Sequence, residues 1–357
     1  MPLATGFNLV VWTGSDNTPV AEAVADLGSA LQSIFLWEAA AERFLTFGPS
    51  APSFLNSAEV LNYGDGLWAL MSAAAMWAQP AASAGSGSGE APAETTPGTV
   101  DCETQVDEGV PEFYSRYFRC SQIELVGDSV RISSDGQPPH RSFYYGDGHA
   151  LFEEFDFSRG DDFRPVPNTI DGTVFTLLIP LAPVPAGITI NAGTVNEATG
   201  DPTDLPLGVA GVALDGIALF NGLAAPGEDI AEERFTFDRF GGHPTRDGRY
   251  HYHAAANGPL AVLEALGFTT TSVPGEGAIE LYGIMCDGTV VLGLNEFDGT
   301  PAAGGLDAQA GHVHDIVDSD GTVLLANRYH VHVSPEIGSD PRGLTPEARF
   351  YGPCTVS

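Results

Sequence analysis

The chain has 357 residues, of which 47 are acidic and 14 basic, so its formal net charge at pH 7 is −33. This charge repels the phosphates of nucleic acids and the surface of an anionic membrane, and we expect neither as a partner. All fourteen basic residues are arginine. The absence of lysine excludes lysine Schiff bases, lysine-anchored pyridoxal phosphate and Walker-type phosphate loops.

The first 78 residues are predicted to form a small α+β module. FNLVVWTG at 7–14 is typical of a strand. The segment 20–44, VAEAVADLGSALQSIFLWEAAAERF, has apolar residues at the three- and four-residue spacing of a helix. GDGLWALMSAAAMW at 64–77 is compatible with a strand or a helix.

This segment resembles a small module of the pattern GWNLVGWTG…WDAAAGRF…FLN…GD that recurs on secreted bacterial proteins. The matching residues are Phe7, Asn8, Leu9, Val10, Val11, Trp12, Thr13, Gly14, Trp37, Glu38, Arg43, Phe44, Phe54, Leu55, Asn56, Gly64 and Asp65. The resemblance implies no activity for the module.

Residues 79–100 are rich in alanine, glycine, serine and proline, and this composition is typical of a flexible linker. The remaining segment, 101–357, has short β-branched runs separated by glycine, proline and Asp-Gly turns. The predicted fold class is therefore mainly β, with an internally duplicated two-half β domain after the small module. No run of 18 apolar residues predicts a membrane span.

The duplication is visible as three elements that occur twice in the same order. The first is GVALDG at 211–216 and GIMCDG at 283–288. The second is an aspartate followed by Gly-His, Asp238 with His243 and Asp307 with His312. The third is the YHYH sequence at 250–253 and YHVH at 329–332.

The ordered set of motifs resembles the YHYH domain family of mostly exported bacterial proteins, and it covers most of 200–357. Two departures stand out: Val331 replaces the second tyrosine in the second half, and His314 is an additional histidine. The resemblance implies no settled reaction, so the chemistry must come from the residues.

The H-x-H pairs suit a metal ion because residues i and i+2 of a strand point to the same face. His251 with His253, and His330 with His332, can therefore converge on an ion. Their neighbouring tyrosines would then face the core.

A third imidazole is available in each half, and three imidazoles leave a coordination position open, as in catalytic sites. The predicted ligands are His243, His251, His253, His312, His314, His330 and His332. Asp238 and Asp307 are expected to accept hydrogen bonds from the other N–H of a ligand. Copper is favoured over zinc, partly because tyrosines flank the ligands. The catalytic residues remain unknown, and His140 and His149 are unassigned.

Four widely spaced cysteines suit one or two disulfides in an oxidising compartment, or four buried thiols. Cys102–Cys120 is a plausible local pair, which leaves Cys286–Cys354. The first residues lack the basic start of a secretory signal, so export would need a signal before this numbering.

Two functions remain open. The first is a secreted or periplasmic metal protein, with oxidoreductase activity as one possibility. The second is an extracellular or cell-surface binding or scaffold protein whose histidines are structural. If the halves pack about a two-fold axis, the two H-x-H strands are expected to lie near each other and to share ligands.

Overall fold

The computed structural model divides the chain into two compact units, Met1–Ala91 and Pro92–Ser357. It describes residues 2–12, 18–38, 43–49, 51, 56–58, 60–61, 65–77, 79, 102–160, 162–191, 204–225, 228–302, 304–337 and 342–357. The linker predicted at 79–100 therefore lies almost wholly outside the described residues, as do Thr13, Gly14, Phe54, Leu55 and Gly64 of the small module.

The first unit is built on an antiparallel sheet in the order β2-β7-β4-β5. Its strands are β1 Pro2–Leu3, β2 Gly6–Val11, β3 Thr18–Pro19, β4 Leu31–Glu38, β5 Arg43–Phe47, β6 Val60–Leu61, β7 Gly66–Met71 and β8 Ala75–Met76. Trp12 and Trp77 are fully buried with ring centroids 5.9 Å apart, and the Trp77 indole donates to the carbonyl of Ala23. These two rings anchor the core beneath the sheet.

The helix predicted over 20–44 is wrong. Among the described residues of this segment, only Val20–Ala23 (α1) is α-helical, followed by a 3₁₀ segment Ala25–Ala30. Gly28 has a φ of 50°, which breaks the helix, and β4 starts at Leu31. The run Ile34-Phe35-Leu36 favours a strand because β-branched and aromatic side chains pack well on a sheet. The described part of this unit is therefore built mainly of strands.

The second unit contains a four-stranded sheet in the order β12-β11-β10-β9, a two-stranded pair β13-β22 and a large central sheet. The outer strands are β9 Gln105–Val106, β10 Gln122–Val126, β11 Ser129–Ser134, β12 Phe175–Pro180, β13 Val184–Pro185 and β22 Tyr351–Gly352. The α-helices are α2 Glu112–Tyr117, α3 Ile230–Glu233 and α4 Asn257–Ala265. The mainly β fold class is thus confirmed.

Eight strands make the central sheet, four from each half of the duplication. The first half supplies β14 Gly211–Ala213, β15 Ala218–Leu219, β16 Gly242–Pro244 and β17 Tyr250–Tyr252. The second half supplies β18 Leu281–Met285, β19 Val290–Leu292, β20 Gly311–Val317 and β21 Val323–His332. The strand order is β16-β17-β15-β14-β18-β19-β21-β20. The order counted from one edge equals the order counted from the other edge when each strand is replaced by its equivalent in the other half.

The register places a pseudo-two-fold axis between β14 and β18. Val212 pairs with its equivalent Ile284, and Gly211 pairs with Met285 as Ala213 pairs with Gly283. A Cβ on Gly211 or Gly283 would collide with the backbone carbonyl of Ile284 or Val212, so glycine permits the close approach of the two halves. The other pairings are repeated in both halves, since β15 and β19 run parallel to β17 and β21.

Both suggested disulfides are present, Cys102–Cys120 and Cys286–Cys354. Cys286 lies at the end of β18 and is fully buried. Its bridge therefore ties the centre of the sheet to the strand region around β22. Within the described residues, no helix is long and apolar enough to cross a lipid bilayer.

Candidate metal centres

The sheet gathers the predicted histidines into two clusters, one in each half. Site 1 consists of His243, His251 and His253. Site 2 consists of His312, His314, His330, His332 and Glu296. All seven predicted ligands therefore lie in one cluster or the other.

The strands themselves produce this convergence. His251 and His253 are two residues apart, on and just after β17, and His243 on β16 is the cross-strand partner of His251. In the second half, His312 on β20 pairs with His330 on β21 in the same register. Each cluster is thus an H-x-H pair joined by imidazoles from the adjacent edge strand, one at site 1 and two at site 2.

The tyrosines occupy the opposite face, as expected from the alternation of side chains along a strand. Tyr250 and Tyr252 are fully buried, and their hydroxyls donate to Asp238 and Asp215. Burial raises the pKa of Asp215 to about 6. These aromatic rings belong to the core, while the imidazoles form the site.

At site 1 the three ligand nitrogens nearly touch. The Nε2 atom of His251 lies 3.1 Å from Nε2 of His243 and 2.9 Å from Nε2 of His253. Two nitrogens bound tetrahedrally to one ion, each at about 2.0–2.1 Å, lie roughly 3.3 Å apart. The distances between these Nε2 atoms are therefore close to those between two nitrogen ligands of one ion.

The Nδ1 atoms determine which nitrogen carries the proton. His251 Nδ1 lies 3.1 Å from the carbonyl oxygen of Arg249, and His253 Nδ1 lies 2.8 Å from that of Asn221. A carbonyl oxygen only accepts, so both Nδ1 atoms donate and both Nε2 atoms carry a bare lone pair. Two lone pairs at 2.9 Å repel each other unless a cation lies between them.

The same assignment holds for the third imidazole. Thr236 Oγ1 lies 2.6 Å from His243 Nδ1 and donates its own proton to the carbonyl of Glu233. Because a hydroxyl has one proton, His243 Nδ1 must be the donor in this contact. All three Nε2 lone pairs therefore point at one another.

A proton is a poor candidate for such a cation. Burial lowers the pKa of His243 to about 3 and that of His253 to about 4, and burial likewise lowers the pKa of His251 well below its ordinary value. The imidazoles are neutral at pH 7, which is the state that binds metal.

Glu233 completes site 1 and was missed in the sequence. Its Oε1 lies 3.4 Å from His243 Nε2, and its Oε2 is buried without a hydrogen-bond partner in the described part of the chain. Burial raises the pKa of this carboxyl to about 7. A metal ion would satisfy the orphaned oxygen and neutralise the buried charge.

Site 2 is built around a carboxylate that was also missed. Glu296 Oε2 lies 3.1 Å from His330 Nε2, and its Oε1 lies 3.1 Å from His314 Nε2 and 3.2 Å from His312 Nε2. His332 Nε2 lies 3.2 Å from His312 Nε2. One ligand atom from each of Glu296, His312, His314 and His330 falls within 4.8 Å of the others.

The same tautomer is present at His330 and His332 in the second half. The Nδ1 atoms of His330 and His332 face the carbonyls of Arg328 and Gly293 at 3.0 and 2.9 Å. Their Nε2 lone pairs therefore point at the carboxylate of Glu296, an arrangement that needs a cation.

The lowered pKa of His312 agrees with this arrangement. Burial lowers the pKa of His312 to about 4. At Glu296, burial raises the pKa, and hydrogen bonds and positive charge from His330 and His332 lower it more when their Nε2 atoms carry protons; an ion among these Nε2 atoms would supply the positive charge instead. An ionised carboxylate and neutral imidazoles form a suitable donor set for a divalent transition metal.

The role predicted for Asp238 and Asp307 is wrong, because the Nδ1 protons go to backbone carbonyls and a threonine. Each aspartate instead accepts from the tyrosine of the H-x-H strand, Tyr250 or Tyr329, at 2.8 Å. Each also accepts from the backbone N–H groups of the second and fourth following residues. The two aspartates thereby stabilise the turns that precede His243 and His312.

The expectation that the two H-x-H strands lie together is also wrong. Although the two-fold axis is present, it passes between β14 and β18, and β17 and β21 are five strand positions apart. At about 4.8 Å per strand, roughly 24 Å separates them. Each site draws its ligands from its own half.

The two unassigned histidines lie outside both clusters. His140 stacks on Phe240 at 3.8 Å between ring centroids, and its Nε2 lies 3.0 Å from the hydroxyl of Tyr252. His149 stacks on Tyr145 at 4.0 Å. Both are accounted for by packing.

No protein-family model matches the chain, and comparison with the curated proteins and with the solved structures finds no match. Membership of the YHYH domain family therefore stays a prediction from the sequence motifs.

Proposed function

We propose that the second unit is a transition-metal-binding domain that holds one ion in each half. The observation that carries this proposal is the convergence of Nε2 atoms, which are unprotonated in all three histidines of site 1 and in His330 and His332 of site 2. The clusters occupy equivalent strands and are each completed by a carboxylate, Glu233 or Glu296. Site 1 thus offers three imidazoles and one carboxylate.

Copper is proposed as the preferred metal, ahead of zinc. For nitrogen and oxygen ligands, the affinity of divalent first-row metals peaks at copper. The flanking tyrosines lend no support, because Tyr250 and Tyr252 face the core on the opposite side of the strand. The proposal depends on the imidazoles and the affinity order alone.

An exported protein of the YHYH domain family is the proposed setting. The two disulfides suit an oxidising compartment, and the ordered motifs occur on equivalent strands of the two halves. The small first unit is proposed to be an accessory module.

The two sites support different functional classes. Site 1 is closed, since each of its three histidines is only 3% exposed, and this favours a structural ion in a scaffold. Site 2 is open at His314, whose side chain is 38% exposed, and this favours an ion that reacts with an external ligand, as in an oxidoreductase. We propose the metal-dependent enzyme as the primary function and the scaffold as the alternative.

Elemental analysis of the purified protein, after equilibration with copper and zinc and removal of free metal, tests the proposal. The expected result is one ion per site, with copper displacing zinc in competition. Only trace amounts of any transition metal would overturn it.

Acidification to pH 5 is expected to leave the imidazoles of site 1 available to metal. Their pKa values are lowered to about 3 for His243 and about 4 for His253, so protons begin to compete only near those values. A flexible peptide with three histidines of pKa about 6.5 would lose roughly thirtyfold in affinity per histidine over the same range. Chelator competition at pH 7 and pH 5 measures the difference. A loss as steep as that of the peptide would contradict the prediction.

A further inference from the structure

The two sites differ in access although they are equivalent in the fold. At site 1, the ring of Phe220 stacks on His251 at 3.9 Å between centroids, and Phe237 lies 5.0 Å from His243. These two aromatic rings cover the cluster. At site 2, a cleft of about 260 Å³ is lined by Glu296 and His314, so solvent reaches the ligands directly.

His314 is the least secured of the site 2 imidazoles. His330 and His332 are fully buried and His312 is 11% exposed at its side chain, whereas His314 is 38% exposed. Its Nδ1 contacts only the carbonyl of the adjacent residue, Asp315. Rotation of this side chain toward the cleft would therefore break that hydrogen bond and its ring contacts with His312 and His330, at 4.5 and 4.4 Å between centroids.

The duplication shows that a site can be built without this imidazole. His314 lies two residues after His312, and Thr245 lies two residues after His243 in the first half. Site 2 thus has five donor side chains where site 1 has four. Since copper and zinc are usually held by four or five ligands, the fifth donor is the one that can leave.

The cleft also restricts the chemistry of an incoming ligand. Its lining residues include the carboxylates of Glu296, Asp298 and Asp315 and no arginine. Asp298 and Asp315 accept backbone N–H groups from Thr300 and Asn327, and both residues line the cleft. An anion is therefore repelled, and a neutral nitrogen donor is favoured, with a protonated amine losing its proton to solvent before it can coordinate.

We propose that site 2, and not site 1, binds an exogenous ligand of the amine or imidazole class, which takes the coordination position of His314 on the ion. The step is a ligand exchange: the incoming nitrogen forms a bond to the metal, the bond to His314 Nε2 breaks, and no electron is transferred. This inference deepens the proposed function and rests on it, because it requires an ion at site 2.

The test uses the full chain loaded with copper(II) and titrated with imidazole or with azide, while the visible and electron paramagnetic resonance spectra are recorded. His251→Ala/His253→Ala leaves only site 2, and His330→Ala/His332→Ala leaves only site 1. We expect a saturable spectral change with imidazole in the first protein and none in the second. Azide should bind more weakly than imidazole.

His314→Thr copies the residue of site 1 and serves as the matched variant. Without a histidine to displace, imidazole should bind about tenfold more tightly, which corresponds to about 1.4 kcal/mol. Introduced alone, without either double substitution, His314→Thr should alter one of the two copper signals. The test can therefore be made even if a double variant does not fold.

Three outcomes are decisive. If the protein with site 2 alone holds no copper by elemental analysis, the proposed function fails at that site. If it holds copper but imidazole leaves the spectrum unchanged, or binds equally at site 1, the inference is overturned while the metal site stands. If azide binds more tightly than imidazole, the assigned ligand class is wrong.

Discussion

Replacing His251 and His253 together by alanine is expected to abolish metal binding at site 1 and most of the metal-dependent stability of that half. The two imidazoles supply two of the three converging Nε2 atoms, and His243 with Glu233 cannot hold an ion tightly alone. An ion that binds only the folded state adds about 4 kcal/mol at a thousandfold excess over its Kd. Melting curves with and without metal, beside elemental analysis, measure this loss.

Tyr252→Phe is the matched control on the same strand. It removes the hydroxyl that lies 2.8 Å from Asp215 on the core face, and this should cost about 1–3 kcal/mol in the metal-free and metal-loaded forms alike. The prediction would be wrong if the double-histidine variant kept full occupancy and the wild-type melting shift. In that case the YHYH strand would serve only the core.

Loss of the Cys286–Cys354 disulfide is expected to lower the free energy of unfolding by about as much as loss of the ion at site 1. The bridge joins residues 68 positions apart, and closing a loop of this length restrains the unfolded chain by about 4 kcal/mol. Cys286 is fully buried directly after β18, so alanine is the least disruptive replacement. Denaturant unfolding of Cys286→Ala/Cys354→Ala beside the wild-type protein measures the difference.

The Cys102–Cys120 bridge provides the control, because its loop is shorter, with a separation of 18 residues. Removal of this bridge should lower the free energy of unfolding by about 3 kcal/mol. Equal midpoints for the wild-type protein and the Cys286→Ala/Cys354→Ala variant would contradict the expectation.

The sequence predicts the histidine clusters well because their geometry is local. Strand alternation puts His251 and His253 on one face and the tyrosines on the other, whatever the rest of the fold does. The repeat likewise predicts two equivalent halves, and the register of β14 with β18 confirms a two-fold relation between them.

The carboxylate ligands could not be predicted in this way. Glu233 reaches site 1 from the end of α3 and Glu296 reaches site 2 from the segment after β19, and the two do not occupy equivalent places in the repeat. In a chain with 47 acidic residues, only tertiary contacts single out these two. The separation of the two sites could not be predicted either, because it depends on the order of the strands in the sheet. In each half, the strands that carry the histidines lie farther from the two-fold axis than the central strands β14 and β18.

The helix predicted over 20–44 failed because apolar spacing alone does not distinguish a helix from a strand that packs on one side. The backbone at Gly28 and the aromatic run after it outweighed the favourable helix propensities of the alanines and glutamates.

The central claim is that each half of the duplicated sheet holds its own transition-metal ion. Anomalous diffraction from crystals of the metal-loaded protein, collected at the copper and zinc absorption edges, tests it directly. The account predicts two peaks, one among the Nε2 atoms of His243, His251 and His253 and one beside Glu296 and His330, with the copper edge giving the stronger signal. Data without a peak at either cluster, or with an ion bound elsewhere and the imidazoles unliganded, would contradict it.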